Sequence, residues 1–328
     1  MTDRPVLVAP DSFKGTFRAT EVAAAIGRGL ESAGLRPPDL CPVADGGDGT
    51  MEVLLTALGG ETASERVHDP LGREVDAGYA LLEEGGTAVI EMARASGLGL
   101  VAPEERDPVA ASTRGTGELI AAAVEDGARV VLVACGGSAT TDGAAGAIEA
   151  IEEAGGLGGA RIVCLCDVRT PFERAAEVFG PQKGADPPTI KRLTKRLNDF
   201  AATLPRDPRG VPMTGCAGGL SGGLWARYDA ALEPGAAFVL GALDFDARMR
   251  AARAVIVGEG RIDEQTLQGK IAGEIATRAR QAGVPCFAIV GTSELDAFGA
   301  RMLDLQRVIE ATGLDAIAAA AASLADVI

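Results

Sequence analysis

The sequence predicts an α/β protein in which a parallel-sheet domain carries a second α/β domain inserted into it. Three observations lead there. Short aliphatic runs recur, each ending in a polar or Gly-rich segment and most leading on to an Ala-rich helical stretch, the grammar of open parallel sheets. Residues 62–91 break that grammar by alternating polar and apolar residues. The 328 residues, 47% of them hydrophobic, suffice for about two domains, each with its own core.

In chain order, Val6–Ala9 reads as a buried strand opening into the loop Pro10-Asp11-Ser12-Phe13-Lys14-Gly15-Thr16, with a helix following from about Arg18 to Ser32. Leu40–Ala44 reads as a second strand. It ends in the acidic segment Asp45-Gly46-Gly47-Asp48-Gly49-Thr50, and a helix then runs to the stop signal Gly59-Gly60. The alternating stretch, with turn signals at Asp69-Pro70 and Gly85-Gly86, predicts an antiparallel meander. Strand–loop–helix grammar returns at Val130–Ala134 and at Ile162–Cys166. It recurs at Val255–Val257 before Gly258-Glu259-Gly260-Arg261-Ile262-Asp263, and at Phe287–Val290 before Gly291-Thr292-Ser293. A basic helix (IKRLTKRLNDF) between Pro-rich stretches reads as an excursion. The expected organisation is a Rossmann-like domain from residues 1–60 plus 250–328 and an inserted α/β domain over 61–249, with a ligand cleft between them.

Composition removes several function classes. A net charge of −15 repels nucleic acid and anionic membranes, and no apolar tract is long enough to cross a bilayer. The six cysteines show no C-x-x-C spacing and lie mostly in apolar runs, as buried free thiols of a cytoplasmic protein do. The single histidine, His68, sits in a polar segment and reads as a surface residue. Only it could serve a Ser–His–Asp or Cys–His hydrolase, and zinc-ligand sets are missing.

Five loops carry candidate chemistry. In DSFKGT, Lys14 beside Ser12 and Gly15 can set an ammonium on a phosphate. In ADGGDGT, Asp45 and Asp48 form a compact anionic turn suited to Mg²⁺, which takes few carboxylates and keeps phosphate and water oxygens; an Asp helix cap is the structural alternative. In GGSATTDGAAG, Gly136, Gly137, Ser138, Thr140 and Thr141 form an anion cradle ahead of a helix, without the Gly-Lys-[Ser/Thr] of a Walker A loop. FGPQKGA offers Lys183 on a Pro/Gly-braced turn. GEGRIDEQTLQGK gathers Glu259, Arg261, Asp263 and Gln265, with Lys270 shortly after. There Arg261 offers a bidentate fork, or else a structural salt bridge to Asp263.

Taken together, APDSFKGT, ADGGDGT, MARASGLGLV, TRGTGELI, GGSATTDG, CDVRTPF, VFGPQKGAD, GCAGGLSGG and GEGRIDEQTLQGK resemble, in that order, the signature blocks of the bacterial glycerate kinase family, type I. The resemblance spans residues 9–270 and implies phosphorylation of D-glycerate, with ATP as donor, Mg²⁺ as cofactor and the 2-position favoured. It also implies a Rossmann-like domain with a second α/β domain. Four features depart from the family pattern: Thr141 stands where Asn is usual, Ala144 stands where Gly is usual, the segment after that loop is shorter, and Ile271–Ala276 replaces a Pro-x-Gly-Val-Ala run.

On that resemblance the expected roles are as follows. Asp45 and Asp48 hold Mg²⁺; Lys14 and Lys183 neutralise the transferring group; Asp45, Asp142 or Asp263 takes the hydroxyl proton. Gly136, Gly137, Ser138, Thr140, Thr141 and Lys270 hold the nucleotide, while Ser12, Arg261 and Gln265 hold the acid, Arg261 by its carboxylate. Alternatives are a kinase of the same fold for another small hydroxy acid and a non-catalytic nucleotide- or acid-sensing protein.

Overall fold

The computed structural model describes residues 4–13, 15–82, 86–263, 266 and 270–328. The chain begins with β1 (Val6–Pro10), α1 (Ala19–Ser32) and β2 (Asp39–Leu40), followed by α2 (Thr50–Leu58). Three strands come next, β3 (Gly60–His68), β4 (Glu74–Leu82) and β5 (Thr87–Glu91), then α3 (Ala93–Ser96), α4 (Arg114–Glu125) and β6 (Val130–Ala134). After α5 (Ala145–Glu153) and β7 (Arg161–Cys166) come α6 (Ala175–Phe179), α7 (Pro187–Ala201), α8 (Cys216–Tyr228), β8 (Ala231–Pro234) and α9 (Gly235–Ala242). The chain ends with α10 (Phe245–Ala251), β9 (Ala254–Ile262), α11 (Ile271–Ala282), β10 (Cys286–Ser293), α12 (Ala297–Met302), β11 (Leu305–Glu310) and α13 (Leu314–Ala322).

Two compact units result, Met1–Asp45 with Ala236–Ile328, and Gly46–Gly235. The first has a five-stranded sheet in the order β11-β10-β9-β1-β2, every pair parallel. Its three central strands, β1, β9 and β10, are buried and apolar through most of their length, as strands covered by helices on both faces are. Val6, Val8, Ile256, Phe287 and Ile289 face one way, onto Val22, Ile26 and Leu30 of α1 and Ile317 and Ala321 of α13. Helix α11 packs against β9 and β10. This is the Rossmann-like layer.

The second strand is shorter than the expected Leu40–Ala44. The chain runs on beside β1, with Cys41 N donating to Val8 O at 2.8 Å and Val43 N to Pro10 O at 2.9 Å. The reciprocal bond in a parallel ladder would come from the N–H of residue 10, and Pro10 has none, so regular pairing stops there.

The second unit holds a six-stranded mixed sheet in the order β3-β4-β5-β6-β7-β8. The expected meander is present: β3 pairs antiparallel with β4 over nine residue pairs, and β4 with β5. From β5 onward the pairs are parallel. Helix α2, which continues the first unit's βα rhythm in sequence, packs against β4 and β5 and so belongs to this unit. Buried Ile90, Val131, Val133, Ile162 and Cys164 form a core with Leu119, Ile120, Ile151, Leu220 and Leu224 from the helices. His68 is half-exposed, its Nδ1 2.8 Å from Glu118 Oε1. The six cysteines are free and buried. Among the described residues no helix is long and apolar enough to cross a membrane.

Candidate active site

Each unit gathers expected site residues at the ends of its parallel strands. In the second unit, β6 runs into the Gly-rich loop, and the acidic loop lies directly on its first two residues. A Cβ on Gly136 would sit 2.7 Å from Gly47 Cα. One on Gly137, whose φ is +68°, would sit 3.1 and 3.2 Å from the two Asp48 carboxylate oxygens. Glycine at these two positions is what lets the Asp48 carboxylate approach the loop backbone.

The loop is braced from below by cations. Lys183 is 1% exposed, and its Nζ donates to Ser138 Oγ at 2.8 Å and to Thr140 O at 2.5 Å. Burial depresses the Lys183 ammonium to about 8; the nearby Asp142 opposes that shift only in part. Arg196, on the basic helix α7, donates to Thr141 O and to Val109 O, each at 2.7 Å. Loss of solvation lowers its pKa below the usual guanidinium value. Two consecutive loop carbonyls are therefore each held by a cation. The Thr140 and Thr141 hydroxyls are buried, and neither finds a hydrogen-bond partner among the described residues.

Asp142 does other work. Its carboxylate accepts from Thr113 N at 2.9 Å, Thr113 Oγ1 at 2.8 Å, Gly146 N at 3.2 Å and Ala144 N at 3.3 Å. It ties the loop to the N-terminal ends of α4 and α5. Ala144, where the family pattern has Gly, holds a left-handed φ of +75°, which explains why Gly is usual there.

Two contributors escaped the sequence reading. Glu91, 4% exposed at the end of β5, accepts from Gly49 N at 2.8 Å and Met51 N at 3.0 Å through one carboxylate oxygen, and from Arg94 Nε at 2.8 Å through the other. It holds the start of α2, and so the acidic loop, in place. A lone acid closing the aliphatic run TAVIEM was its only signal. Arg196 is the second; its helix read as an excursion.

In the first unit, a cavity of about 410 Å³ opens at the ends of β1, β9 and β10. Ser12, Arg261 and Lys270 line it together with Phe13, Phe17, Thr292 and Thr312. Lys270 Nζ lies 3.5 Å from Glu259 and 3.7 Å from Asp263; Arg261 lies 3.4 Å from Asp263 and 2.7 Å from Glu294. Asp45 is buried at the end of this unit's first segment. The expected Lys14 and Gln265 lie outside the described residues.

The donor set can be tested against Mg²⁺. No group of three or more His, Cys, Asp or Glu side chains suited to hold a metal occurs among the described residues. A dedicated protein cage is therefore not what these residues offer. A single acidic loop fits an ion that keeps phosphate and water oxygens as its other ligands, the usual state of Mg²⁺ in phosphoryl transfer.

Comparison with known proteins points one way. The sequence profile of the Glycerate kinase family matches residues 6–156 and 153–326. A glycerate kinase of Halalkalibacterium halodurans is 40% identical over 326 residues, spanning 88% of this chain and 85% of the relative. The glycerate 2-kinase of Escherichia coli K12 is 36% identical, spanning 95% and 89%. A crystal structure bearing the name glycerate kinase 2, from Salmonella typhimurium LT2, superposes with a TM-score of 0.83 at 33% identity, over 99% of this chain and 98% of that one.

Proposed function

The chain belongs to the glycerate kinase family, and from that membership we propose that it transfers the terminal phosphoryl group of ATP to the 2-hydroxyl of D-glycerate, giving 2-phosphoglycerate and ADP. The observation that carries the reading is the seating of Asp48 on Gly136–Gly137, a loop braced from beneath by Lys183. A carboxylate beside a Gly-rich loop that leads into a helix suits a cation shared between itself and phosphate. The 2-position rests on the E. coli relative's name.

In this reading the hydroxyl oxygen attacks the γ-phosphorus, the bond to the bridging oxygen breaks, and the hydroxyl proton passes to an aspartate. Mg²⁺, when bound, supplies charge neutralisation on the phosphates, with Asp48 and Asp45 as its protein ligands. The Gly-rich loop with Ser138, Thr140 and Thr141 cradles anionic oxygens. A ligand oxygen there would satisfy the two unpaired hydroxyls, each of which costs about 1–3 kcal/mol while unmade. Asp142, whose carboxylate already accepts four bonds, positions the loop, leaving as proton acceptor Asp263, or Asp45 where Asp48 alone holds the metal. Ser12, Arg261 and Lys270 line one cavity and so serve one bound molecule. Buried free thiols and a strongly negative charge fit a cytoplasmic enzyme of small molecules.

The test is ADP formation against a panel of hydroxy acids, with the product read by ³¹P NMR. Phosphate on the 2-position couples to one methine proton and gives a doublet; on the 3-position it couples to a methylene and gives a triplet. A triplet overturns the regiochemistry. Absence of D-glycerate-dependent ADP overturns the activity.

A further inference from the structure

We infer that the cavity at the ends of β1, β9 and β10 receives the nucleoside of the nucleotide donor, with Arg261 and Lys270 serving its phosphates; this rests on the phosphotransferase reading above.

In the order β11-β10-β9-β1-β2 the chain leaves β1 toward β2 on one side and leaves β9 toward β10 and β11 on the other. The direction of winding therefore reverses between β1 and β9, and a crevice opens there at the carboxyl ends of the strands. The cavity is walled by residues that follow these two strands, Ser12, Phe13, Thr16 and Phe17 after β1 and Glu259, Gly260 and Arg261 at the end of β9.

About 410 Å³ lies within the range of small-ligand and cofactor pockets, far more than a three-carbon acid fills. A nucleoside suits it.

Phe13 and Phe17 are locked as a directly opposed pair, Phe13 N to Phe17 O at 2.9 Å and Phe17 N to Phe13 O at 3.1 Å. Phe13 is buried in the unit's core and anchors the turn, while Phe17, only partly buried, presents its ring at the cavity. Aromatic surface has no use for glycerate, which is polar at every carbon, but it stacks a base. Thr292 and Thr312 add neutral hydroxyls suited to the edges of a base or the hydroxyls of a ribose. The floor is bare backbone where Gly291 meets Gly260: any side chain on Gly291 would overlap the Gly260 carbonyl. Arg261 and Lys270 bring cations, each already balanced by carboxylates, to the same cavity. An aromatic and hydroxylated pocket with cations on one wall matches a nucleoside that carries a phosphate tail.

This assignment moves Ser12 and Arg261 from the acid, where the sequence reading put them, to the nucleotide. It leaves the Gly-rich loop of the second unit to the acid and the transferring phosphate.

Photolabelling of the intact protein with 8-azido-ATP, followed by peptide mapping, tests it directly. The label is expected on the peptides holding Phe17 or Thr312. A label confined to residues 136–142 overturns the inference. Kinetics give an independent check: Phe17→Ala and the near-isosteric Thr312→Val should each raise KM for ATP, Phe17→Ala by about tenfold, with KM for D-glycerate within about twofold. A rise confined to the glycerate KM overturns it. If the wild-type chain forms no ADP with D-glycerate, the activity reading fails, while the photolabel still decides what the cavity binds.

Discussion

Lys183 donates two hydrogen bonds, to Ser138 Oγ at 2.8 Å and to Thr140 O at 2.5 Å, from a fully buried position. Two bonds are also what a neutral amine can donate. Deprotonation therefore removes the charge beneath the Gly-rich loop and leaves both braces in place. Burial lowers the pKa from 10.5 to about 8, so kcat/KM should fall as pH rises through about 8. Stability moves the other way. Between about 8 and 10.5 the unfolded chain holds a proton on Lys183 that the folded chain does not, so stability rises with pH across that window. Below about 8 both states are protonated, and the cost of the buried charge is fully present. Denaturant titrations of wild type and Lys183→Met on each side of that window check this: the rise should vanish in the variant.

Glu91→Gln keeps an acceptor for the start of α2 but removes the charge that faces Gly49 N, Met51 N and Arg94. A stability loss of about 2 kcal/mol is expected, as for hydrogen bonds to charged groups. The anchor of the acidic loop weakens as well, so half-saturating Mg²⁺ should rise. Urea unfolding and a Mg²⁺ titration of activity measure the two; an unchanged Mg²⁺ requirement would separate Glu91 from Asp48.

With Asp48 in the proposed role of Mg²⁺ ligand, Asp48→Asn should cut kcat by about a hundredfold or more while the protein still folds. Near wild-type turnover at saturating Mg²⁺ would refute the role given to Asp48.

Gly218→Ala places a methyl group into the Thr140 carbonyl at a residue whose φ is +68°. Gly155→Ala is the control, with φ +95° and open space around it. The control should cost about 1–2 kcal/mol from the left-handed backbone alone. The Gly218 variant should cost clearly more and also lower activity, read by thermal unfolding and initial rates. Equal costs at the two positions would show that the contact with Thr140 carries no weight.

What the sequence made legible was whatever local grammar controls. Strand ends announced themselves as aliphatic runs breaking into Gly, Ser and Asp, so β1, β6, β9 and β10 and their loops were found where they lie. The braces were not legible. Arg196 reaches Thr141 O from a helix whose exposed face is ordinary charged surface, and Glu91 reaches α2 from another strand. Both are tertiary facts that no short window contains. The helix after the acidic loop misled for the same reason: α2 has the pattern of the first unit's helices, and only its packing on β4 and β5 assigns it to the second. Within α8, the run Ala217-Gly218-Gly219 turns left-handed, although the segment had no helical or turn signal stronger than its glycines.

The interlock between that run and the Gly-rich loop bears on how such an enzyme can diverge. Gly143 N donates to Gly218 O at 3.2 Å, and side chains on Gly218 or Gly223 would strike the backbone of Thr140 or Gly143. The two segments lie some eighty positions apart in the chain, yet neither can be rewritten alone. A lineage seeking a new acceptor would have to alter both in concert, a path with few viable intermediates. Change in acceptor preference is therefore expected to accumulate around the loop, at residues such as Arg106, which donates to the Gln182 carbonyl next to Lys183, while the paired glycine backbones are inherited as a block.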